Sequence, residues 1–460
     1  MFTFNLDDHK YKKLHFLGIG GVSMSGIALL MAKNGFQVSG SDRSDRDNLQ
    51  ILRDNGIEIY IGQKKDNIKD QDLFIYTDAI LPDNEEYIAA VDTGKEVVSR
   101  GVFLGALMRN YEKSIAVSGS HGKSTTTSMI SKMLVESPED PTILLGGFFD
   151  DIKGNVLAGS RDFLLTEACE FKGNILHYYP STAVILNISE DHLDYYRDLD
   201  HIIETFEGYM DHLDENSKVI LNIDDENTHS LLDHIKGEAI TFSTKDEKAD
   251  YYAHNISYSE EGYPSFDLRF KDGTIEHYDL GFMGGYNIYN AMAAIAASYE
   301  NGIELAPIHR ALNLYKPLHR RMEVIGHYHD ATIMTDYAHH PIELQATLEP
   351  LNEHKKNRLV CVFQPHTFSR TKALLNEFAD SFYACDEVIV TDIFPAREKF
   401  DPTIHSKDLV DLLKKNKVNA RYIADFDGAK EYIQETIEKD DLCLTTGCGD
   451  PDVLAKMIVE

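Results

Sequence analysis

Residues 119–127 read Gly-Ser-His-Gly-Lys-Ser-Thr-Thr-Thr, and this stretch decides how the chain is expected to fold. An apolar run at 114–117 comes before it, which is typical of a buried strand, and the apolar spacing of 128–135 predicts a helix after it. A strand, a glycine loop and a helix form the layout that holds nucleotide phosphates. The glycines let backbone N–H groups approach the anion, and the helix N-terminus adds partial positive charge. In this layout Lys123 reaches the terminal phosphates, and the Ser124 hydroxyl can ligate Mg²⁺.

The alternative is an ordinary glycine turn before a helix. Val117 stands where a full P-loop has its first glycine, so the loop departs from the complete pattern. Gly-Lys-Ser and three threonines nevertheless fall between the expected strand and the expected helix, and this placement favours phosphate binding.

The composition indicates a cytoplasmic protein with several domains. The chain has 460 residues, which suggests about three domains, and 43% of its residues are hydrophobic. Its net charge of −31 argues against nucleic acid, whose phosphates need a basic surface. The five cysteines form no Cys-x-x-Cys pair, the N-terminus lacks an apolar signal core, and no run approaches the roughly 18 apolar residues of a membrane span. We therefore expect a cytoplasmic location, no membrane association, and a monomer or homodimer.

Short apolar strands alternate with helical patterns, which predicts an α/β fold with mostly parallel sheets. We expect three domains: a Rossmann-like domain over 1–112, a central P-loop-type mononucleotide-binding domain over 113–317, and a C-terminal Rossmann-like α/β domain over 318–460. A small antiparallel excursion is expected over 244–280. The expected strands are 13–17, 37–42, 58–61, 73–76 and 96–98 in the first block, 114–117, 163–166 and 182–187 in the second, and 332–335, 359–363, 388–391 and 442–445 in the third.

A second glycine loop follows the first expected strand. Residues 18–23 read Gly-Ile-Gly-Gly-Val-Ser, similar to the dinucleotide-binding fingerprint but with Ser23 where the third glycine belongs. Asp42 ends the second strand, at roughly the 20-residue offset of an acid that binds a ribose. This pattern supports a nucleotide diphosphate at the first helix N-terminus, and it does not choose between a dinucleotide and a UDP-sugar. A tight turn that packs the helix on the strand is the alternative.

Acidic and histidine side chains follow two strands of the middle block. Glu167 ends one strand and residues 190–192, Glu-Asp-His, follow another, so these side chains are expected at the same sheet edge as the phosphate loop. Mg²⁺ prefers oxygen ligands and usually shares them with substrate phosphates, so a metal site is chemically sensible here. In the alternative, Asp191 caps a helix that starts near residue 193, and His192 only lies beside it.

Histidines and an arginine follow two neighbouring strands of the last block. Residues 336–341 read Asp-Tyr-Ala-His-His-Pro, and residues 364–371 read Gln-Pro-His-Thr-Phe-Ser-Arg-Thr. These side chains could bind an amino acid, whose carboxylate would take the bidentate fork of Arg370. Helix capping, by Pro341 at the first helical position and by Ser369, is compatible with that role.

Together these motifs resemble the Mur ligases, ATP-dependent enzymes that form amide bonds in peptidoglycan precursor synthesis. The resemblance covers nearly the whole chain, and its most specific segments are residues 18–26, 167–170, 336–341 and 363–371. It is strongest to the branch that adds L-alanine to UDP-N-acetylmuramate. The resemblance implies that ATP phosphorylates the sugar's carboxylate, that the amine of L-alanine attacks the acyl phosphate, and that ADP and phosphate leave. Mg²⁺, or Mn²⁺ in its place, would be the metal cofactor.

The resemblance also assigns expected roles to domains and residues. The first domain would bind the UDP-sugar, the second ATP, and the third would close over both and receive the amino acid. The implied catalytic residues are Lys123, His192, His339 and Arg370. The implied ATP site contains Gly119, Ser120, His121, Gly122, Lys123, Ser124, Thr125, Asn287, Asn290, Arg321 and Asp336. The implied UDP-sugar site contains Gly18, Gly20, Gly21, Ser23, Asp42, Thr77 and Ala79. The implied alanine pocket contains Tyr337, His339, His366 and Arg370, and the implied metal site contains Ser124, Glu167 and His192.

Two residues depart from the common family pattern, and a lysine found in several sister ligases is absent. Tyr286 stands where relatives often have histidine, and Thr367 stands where some relatives have arginine, so the alanine pocket would lean on Arg370. Several sister ligases carry a carbamylated lysine after the His192-type histidine. No lysine lies between His192 and Lys218, which argues against a carbamate bridge and suits the alanine-adding branch.

Three other functions are alternatives to an alanine-adding ligase. A recycling ligase that joins a ready-made tripeptide to the same UDP-sugar would share the ATP, metal and sugar sites. A nicotinamide-dependent oxidoreductase built on the Gly18 loop would leave Lys123, Ser124 and Glu167 without a role. A non-catalytic UDP-sugar sensor is disfavoured because the residues of the implied phosphoryl-transfer site are intact.

Overall fold

The computed structural model describes residues 2–8, 10–45, 47–191, 195–260, 262–396 and 398–460. Packing divides the chain into two compact units. The first unit comprises Met1–His254, Asp267–Glu276 and Tyr289–Tyr315, and the second comprises Asn255–Phe266, His277–Ile288 and Lys316–Glu460. The described strands form sheets of five, ten and six strands. The expected α/β class with three sheet-bearing parts is confirmed.

The first sheet is parallel throughout and lies near the N-terminus. Its elements, in chain order, are β1 (Lys13–Leu17), α1 (Val22–Lys33), β2 (Gln37–Asp42), α2 (Asp47–Asp54), β3 (Glu58–Ile61), β4 (Leu73–Tyr76), α3 (Glu85–Asp92), β5 (Glu96–Ser99) and α4 (Arg100–Met108). The strand order is β3-β2-β1-β4-β5. β2 and β3 lie on one side of β1, and β4 and β5 lie on the other. The strand order thus reverses at β1, which leaves a crevice at the carboxyl end of this strand.

The second sheet has β6 near its middle. Its elements are β6 (Lys113–Ser118), α5 (Lys123–Glu136), β7 (Thr142–Phe149), β8 (Gly154–Leu157), β9 (Phe163–Glu167), β10 (Thr182–Ile185), α6 (Leu199–His212), β11 (Lys218–Asn222), α7 (Glu226–His229), β12 (Glu238–Ser243), β13 (Tyr251–Tyr258), β14 (Pro264–Arg269), β15 (Ile275–Asp279), α8 (Tyr286–Glu300) and α9 (Leu305–Leu314). The order is β15-β14-β13-β12-β11-β10-β6-β9-β7-β8. The strands expected within 244–280 are present as β13, β14 and β15.

The third sheet belongs to the second unit. Its elements are β16 (Glu323–Tyr328), β17 (Ala331–Asp336), α10 (Pro341–His354), β18 (Leu359–Phe363), α11 (Phe368–Ala373), α12 (Leu375–Ser381), β19 (Glu387–Val390), α13 (Ser406–Lys415), β20 (Ala420–Tyr422), α14 (Phe426–Thr436), β21 (Leu442–Thr446) and α15 (Pro451–Val459). The order is β16-β17-β21-β18-β19-β20. β21 lies between β17 and β18, so the expectation that these two strands are neighbours is wrong, and their carboxyl ends are one strand apart.

The central strands of the third sheet are buried on both faces. On one face Ile333, Val360, Val362 and Cys443 pack with apolar side chains of α14 and α15. On the other face Met334, Cys361, Phe363 and Leu444 pack with apolar side chains of α10, α12 and α13. A parallel sheet with helices on both faces explains why these strands appear in the sequence as continuous apolar runs.

Candidate active site

The phosphate loop leaves β6 and enters α5 as the sequence predicts. Gly119 (φ +131°) and Gly122 (φ +84°) both adopt positive φ, which costs a residue with a side chain far more than it costs glycine. Gly122 is the N-cap of α5, and no side chain caps this helix. The first-turn N–H groups of α5 are therefore available to an anion.

Asn187, which follows β10, holds the loop in this shape. Its side-chain carbonyl accepts a hydrogen bond from the His121 N–H (2.8 Å), its amide donates to the His121 carbonyl (3.1 Å), and its backbone carbonyl accepts from the Ser120 N–H (3.0 Å). Asn290 of α8 also lies against the loop, because a Cβ on Gly122 would be 2.4 Å from the Asn290 Oδ1. The structure thus places Asn290 beside the phosphate loop, and it adds Asn187, which belongs to none of the motifs.

Lys123 points back along its own loop. Its ammonium lies 3.0 Å from the Glu170 carboxylate and donates to the Ser120 carbonyl at 3.0 Å and to the Gly119 carbonyl. Burial favours the neutral amine, but the negative charge of Glu170 outweighs it and raises the pKa of Lys123 above its ordinary value. Lys123 therefore stays a cation inside the site and can stabilise phosphate charge.

Glu167 ends β9 beside the phosphate loop. The strand register pairs Val117 of β6 with Glu167. One Glu167 oxygen accepts a hydrogen bond from the Gly146 N–H (2.8 Å), and a Cβ at Gly146 would lie 2.7 Å from that oxygen. The second oxygen and the Ser124 hydroxyl have no hydrogen-bond partner among the described residues, so both are open to a metal ion.

His192, the third expected metal ligand, lies outside the described residues. The alternative of a helix that starts near residue 193 is wrong over the described residues, because Tyr195 to Arg197 are not helical and α6 begins at Leu199 with Asp198 as its cap. Among the described residues, no group of three or more His, Cys, Asp and Glu side chains could hold a metal ion. A metal here would need phosphate oxygens to complete its ligands.

The Gly18 loop forms at the carboxyl end of β1. The N–H groups of Gly18 and Ile19 donate to the Ser41 carbonyl, both at 2.9 Å, and α1 begins at Val22 with no side-chain cap at Gly21. Asp42, expected to bind a ribose, accepts a hydrogen bond from the Gly20 N–H (2.9 Å). Asp42 therefore shapes the loop directly.

Thr77 packs against the same loop, and Ala79 follows it. A Cβ on Gly18, whose φ is +80°, would lie 2.5 Å from the Thr77 methyl group. Thr77 and Ala79 follow β4, the neighbour of β1, so both come from the crevice edge of the sheet. The structure thus brings the expected UDP-sugar residues to one place.

In the second unit, the expected alanine-pocket residues converge at the carboxyl ends of β17 and β18. The ring centroids of His339 and His366 are 6.0 Å apart, and those of Tyr337 and His339 are 5.2 Å apart. The Tyr337 hydroxyl is 2.8 Å from the Cys448 sulfur, which follows β21 between the two strands. Cys448 had no expected role, and its position follows from the strand order rather than from any local motif.

Arg370 lies in the first turn and a half of α11. Its Nη1 is buried and finds no hydrogen-bond partner among the described residues. A buried guanidinium nitrogen without an acceptor is costly, and a ligand carboxylate would satisfy it. Arg370 also faces the Cys448 thiol, whose pKa is raised by burial and lowered less strongly by Tyr337, Arg320 and Arg370.

The helix caps in this region are partly as expected. Pro341 occupies the first turn of α10, which confirms one expectation. Ser369 is not a cap, and that expectation is wrong, because the cap of α11 is Thr367, whose hydroxyl accepts from the Arg370 N–H at 3.4 Å. Thr367 has a positive φ of 63°, which turns the chain two residues earlier than the sequence suggests.

Asp336 organises the base of this cluster. One carboxylate oxygen accepts from the Met322 N–H (2.7 Å) and the other from the Ala338 N–H (2.8 Å), while burial raises the pKa of the carboxyl group. The guanidinium carbon of Arg321 is 5.1 Å from the centre of the Tyr337 ring. Asn287 belongs to the same unit, and its amide donates to the Met283 carbonyl at 2.6 Å.

The expected ATP residues are therefore divided between the two units. Residues 119–125 and Asn290 belong to the first unit, and Asn287, Arg321 and Asp336 belong to the second. Among the described residues, no helix is long and apolar enough to cross a membrane.

Similarity to known proteins gives an independent result. Family models match residues 13–112 (Mur ligase family, catalytic domain), 117–298 (Mur ligase middle domain) and 320–449 (Mur ligase, glutamate ligase domain). The chain is 43% identical over 459 residues to the UDP-N-acetylmuramate–L-alanine ligase of Alkaliphilus metalliredigens, covering 100% of this chain and 99% of that protein. It is 41% identical over 445 residues to the ligase of the same name from Caldanaerobacter subterraneus, covering 97% and 96%. The crystal structure of the Thermotoga maritima UDP-N-acetylmuramate–alanine ligase matches with a TM-score of 0.81 and 28% identity, covering 97% of this chain and 98% of that one.

Proposed function

This chain belongs to the Mur ligase family, and we propose that it uses ATP to join L-alanine to the carboxylate of UDP-N-acetylmuramate. The structural observation that best supports an amino-acid site is Arg370, whose buried Nη1 has no partner among the described residues and suits a ligand carboxylate. The full-length similarity to alanine ligases supports the same substrate.

We assign residues 1–112 to UDP-sugar binding, 113–317 to ATP binding, and 318–460 to amino-acid binding. The Gly18 loop and the uncapped α1 support the first assignment, and the uncapped α5 with Lys123 supports the second. The cluster of Tyr337, His339, His366 and Arg370 supports the third. The cysteines of the described chain are free thiols, which agrees with a cytoplasmic enzyme.

The chemistry begins with the sugar's carboxylate, a poor acyl donor because its leaving group would be oxide. Its oxygen attacks the γ-phosphorus of ATP, the bond to the β-phosphate oxygen breaks, and an acyl phosphate and ADP form. Lys123 and the first-turn N–H groups of α5 face the negative charge that spreads over the transferred group. Glu170 keeps Lys123 protonated until phosphate oxygens replace it as the partner.

The amine of L-alanine then attacks the acyl carbon. The tetrahedral intermediate expels phosphate and leaves the amide, and the amine must lose a proton on the way. The Nδ1 of His339 lies 3.0 Å from the Tyr337 carbonyl, which can only accept, so Nδ1 carries the hydrogen. Its Nε2 is then the free acceptor, and we assign it the amine proton.

Mg²⁺ fits the oxygen ligands that Ser124 and Glu167 present beside the phosphate loop, with His192 as the third proposed ligand. When bound, it would neutralise phosphate charge.

Changing Glu167→Gln keeps an oxygen for the Gly146 N–H but removes the negative charge. We expect the Mg²⁺ concentration for half-maximal activity to rise about 10-fold or more, measured as phosphate release across a Mg²⁺ titration.

A control for that variant lies at the other end of α5. Glu136→Gln removes a carboxylate that pairs with Lys132 at 2.8 Å, and it should leave the Mg²⁺ requirement as it is. An unchanged requirement in Glu167→Gln would remove Glu167 from the metal site.

The proposed substrate is tested by phosphate release with UDP-N-acetylmuramate, Mg-ATP and each of the twenty amino acids in turn. We expect the largest release with L-alanine, because the full-length relatives are alanine ligases and Arg370 offers a carboxylate site. The tripeptide that a recycling ligase would use is included as a further substrate. Release that depends on the tripeptide and not on alanine would overturn the proposal.

A further inference from the structure

Arg100 is the first residue of α4, and the motifs of the sequence assign it no role. Its guanidinium Nη1 donates to the Ser23 hydroxyl at 3.4 Å. Ser23 lies in the first turn of α1, directly after the Gly18 loop. Arg100 therefore reaches from the edge strand β5 to the helix that receives the glycine loop.

Two glycines let α4 pack closely on its neighbour, and Arg100 at its start is half-buried. A Cβ on Gly101 would lie 2.0 Å from the Asn174 Oδ1, and a Cβ on Gly105 would lie 1.9 Å from the His177 carbonyl oxygen. The helix thus packs directly on the segment Phe171–His177, and the charge of Arg100 acts on Tyr178 and Cys169, which flank that segment.

No carboxylate neutralises Arg100 in the described part of the chain. The Asp78 carboxylate accepts a hydrogen bond from the Asn174 amide at 2.8 Å, and among the described residues it forms no ion pair with Arg100. The Tyr178 side chain is fully buried, and its hydroxyl interacts with the Arg100 guanidinium, so this neutral group is a partner of Arg100. The partners of Arg100 in the described chain are the neutral hydroxyls of Ser23 and Tyr178, so its positive charge remains available to an anion.

We propose that Arg100 binds the diphosphate of the UDP-sugar. The first-turn N–H groups of α1 have no side-chain cap, and an arginine fork beside them completes a diphosphate site with two kinds of donor. We place Arg100 at the diphosphate and not at the sugar's carboxylate because its contact, Ser23, lies at the end of α1 that follows the glycine loop. This inference rests on the proposed function and adds a specific binding residue to it.

The test measures the affinity for three ligands by calorimetry, on the full chain and without catalysis. UDP-N-acetylglucosamine carries the diphosphate but no lactyl carboxylate, UDP-N-acetylmuramate carries both groups, and uridine carries neither. We expect Arg100→Met to weaken binding of both UDP-sugars by the same factor, about 10- to 100-fold, and to leave uridine binding as it is. Arg109→Met is the matched control, since Arg109 caps the other end of α4 and stacks on Tyr179 at 4.1 Å.

Each outcome decides the proposal. A loss confined to UDP-N-acetylmuramate would place Arg100 at the carboxylate, and unchanged affinities for both UDP-sugars would give it a structural role only, so either result overturns the proposal. If Arg100→Met does not fold, Arg100→Lys is measured instead, because lysine keeps the positive charge but lacks the planar guanidinium. An equal loss of affinity for both UDP-sugars in that variant supports the proposal. A wild-type protein that binds neither UDP-sugar would overturn the proposed function itself.

Discussion

Replacing Lys123 with methionine is expected to lower kcat about 1000-fold or more while leaving affinity for the UDP-sugar within about 3-fold. Lys123 is the cation that the phosphate loop places at the transferred phosphoryl group, and the Gly18 loop lies on a different sheet. The two measurements are phosphate release at saturating substrates and calorimetric titration with UDP-N-acetylmuramate. A kcat within about 10-fold of the wild type would contradict the assigned role.

Stability must be separated from catalysis in this variant. Lys123→Met leaves Glu170, which is 2% exposed, as a buried carboxylate without its cation, and that can cost about 3 kcal/mol. The double variant Lys123→Met with Glu170→Gln removes the uncompensated charge. We expect it to recover much of the lost stability in thermal unfolding and none of the activity. Lys132→Met is the matched control, because Lys132 lies on the same helix and pairs with Glu136 and Asp151.

Many buried strands could be predicted from the sequence, but β11 is missed although it lies inside the second sheet and four of its five residues are buried. β18 is buried along its whole length, so its apolar run is unbroken and easily recognised. The strands that the predictions omit are β7, β8, β11, β12, β16 and β20. β16 shows the reason most clearly: it is an antiparallel edge strand with no fully buried residue, so it lacks an apolar run. β7 contains the Gly146–Gly147 pair, which resembles a turn until Glu167 is seen to need the space at Gly146.

Loop residues with chemistry could be predicted where a local motif contains them. Lys123, Ser124 and Arg370 belong to such motifs, and the structure places each at the carboxyl edge of a sheet. Glu170 lies in the specific segment 167–170, but its pairing with Lys123 is not visible there. The contacts of Glu170, Asn187 and Arg100 join residues 47, 66 and 77 positions apart, so a local pattern does not reveal them. Strand order decides which distant loops meet, as it does for Cys448 between β17 and β18.

Arg370→Met is expected to raise the KM for L-alanine about 100-fold, since a bidentate arginine–carboxylate contact would be lost. The KM for ATP should stay within about 2-fold, because the phosphate loop belongs to the other unit. Stability should not fall, and it can rise by about 1 kcal/mol, because the variant removes a buried donor that has no partner in the described chain. This combination, weaker alanine binding with undiminished stability, is the signature of a side chain kept for its ligand.

A neighbouring lysine provides the control for Arg370. Lys372 lies on the same helix, is 54% exposed and faces Asp401 at 3.7 Å, so Lys372→Met removes a positive charge without touching the pocket. We expect its alanine KM to match the wild type, measured in the same phosphate-release assay. The alanine KM of Arg370→Lys should lie between those of the wild type and Arg370→Met, since an ammonium keeps the charge but cannot hold both carboxylate oxygens in one plane. An alanine KM within about 2-fold of the wild type in Arg370→Met would mean that another group holds the carboxylate. His366 and His339 would then be the side chains to change next, because their rings pack edge to face in the same cluster.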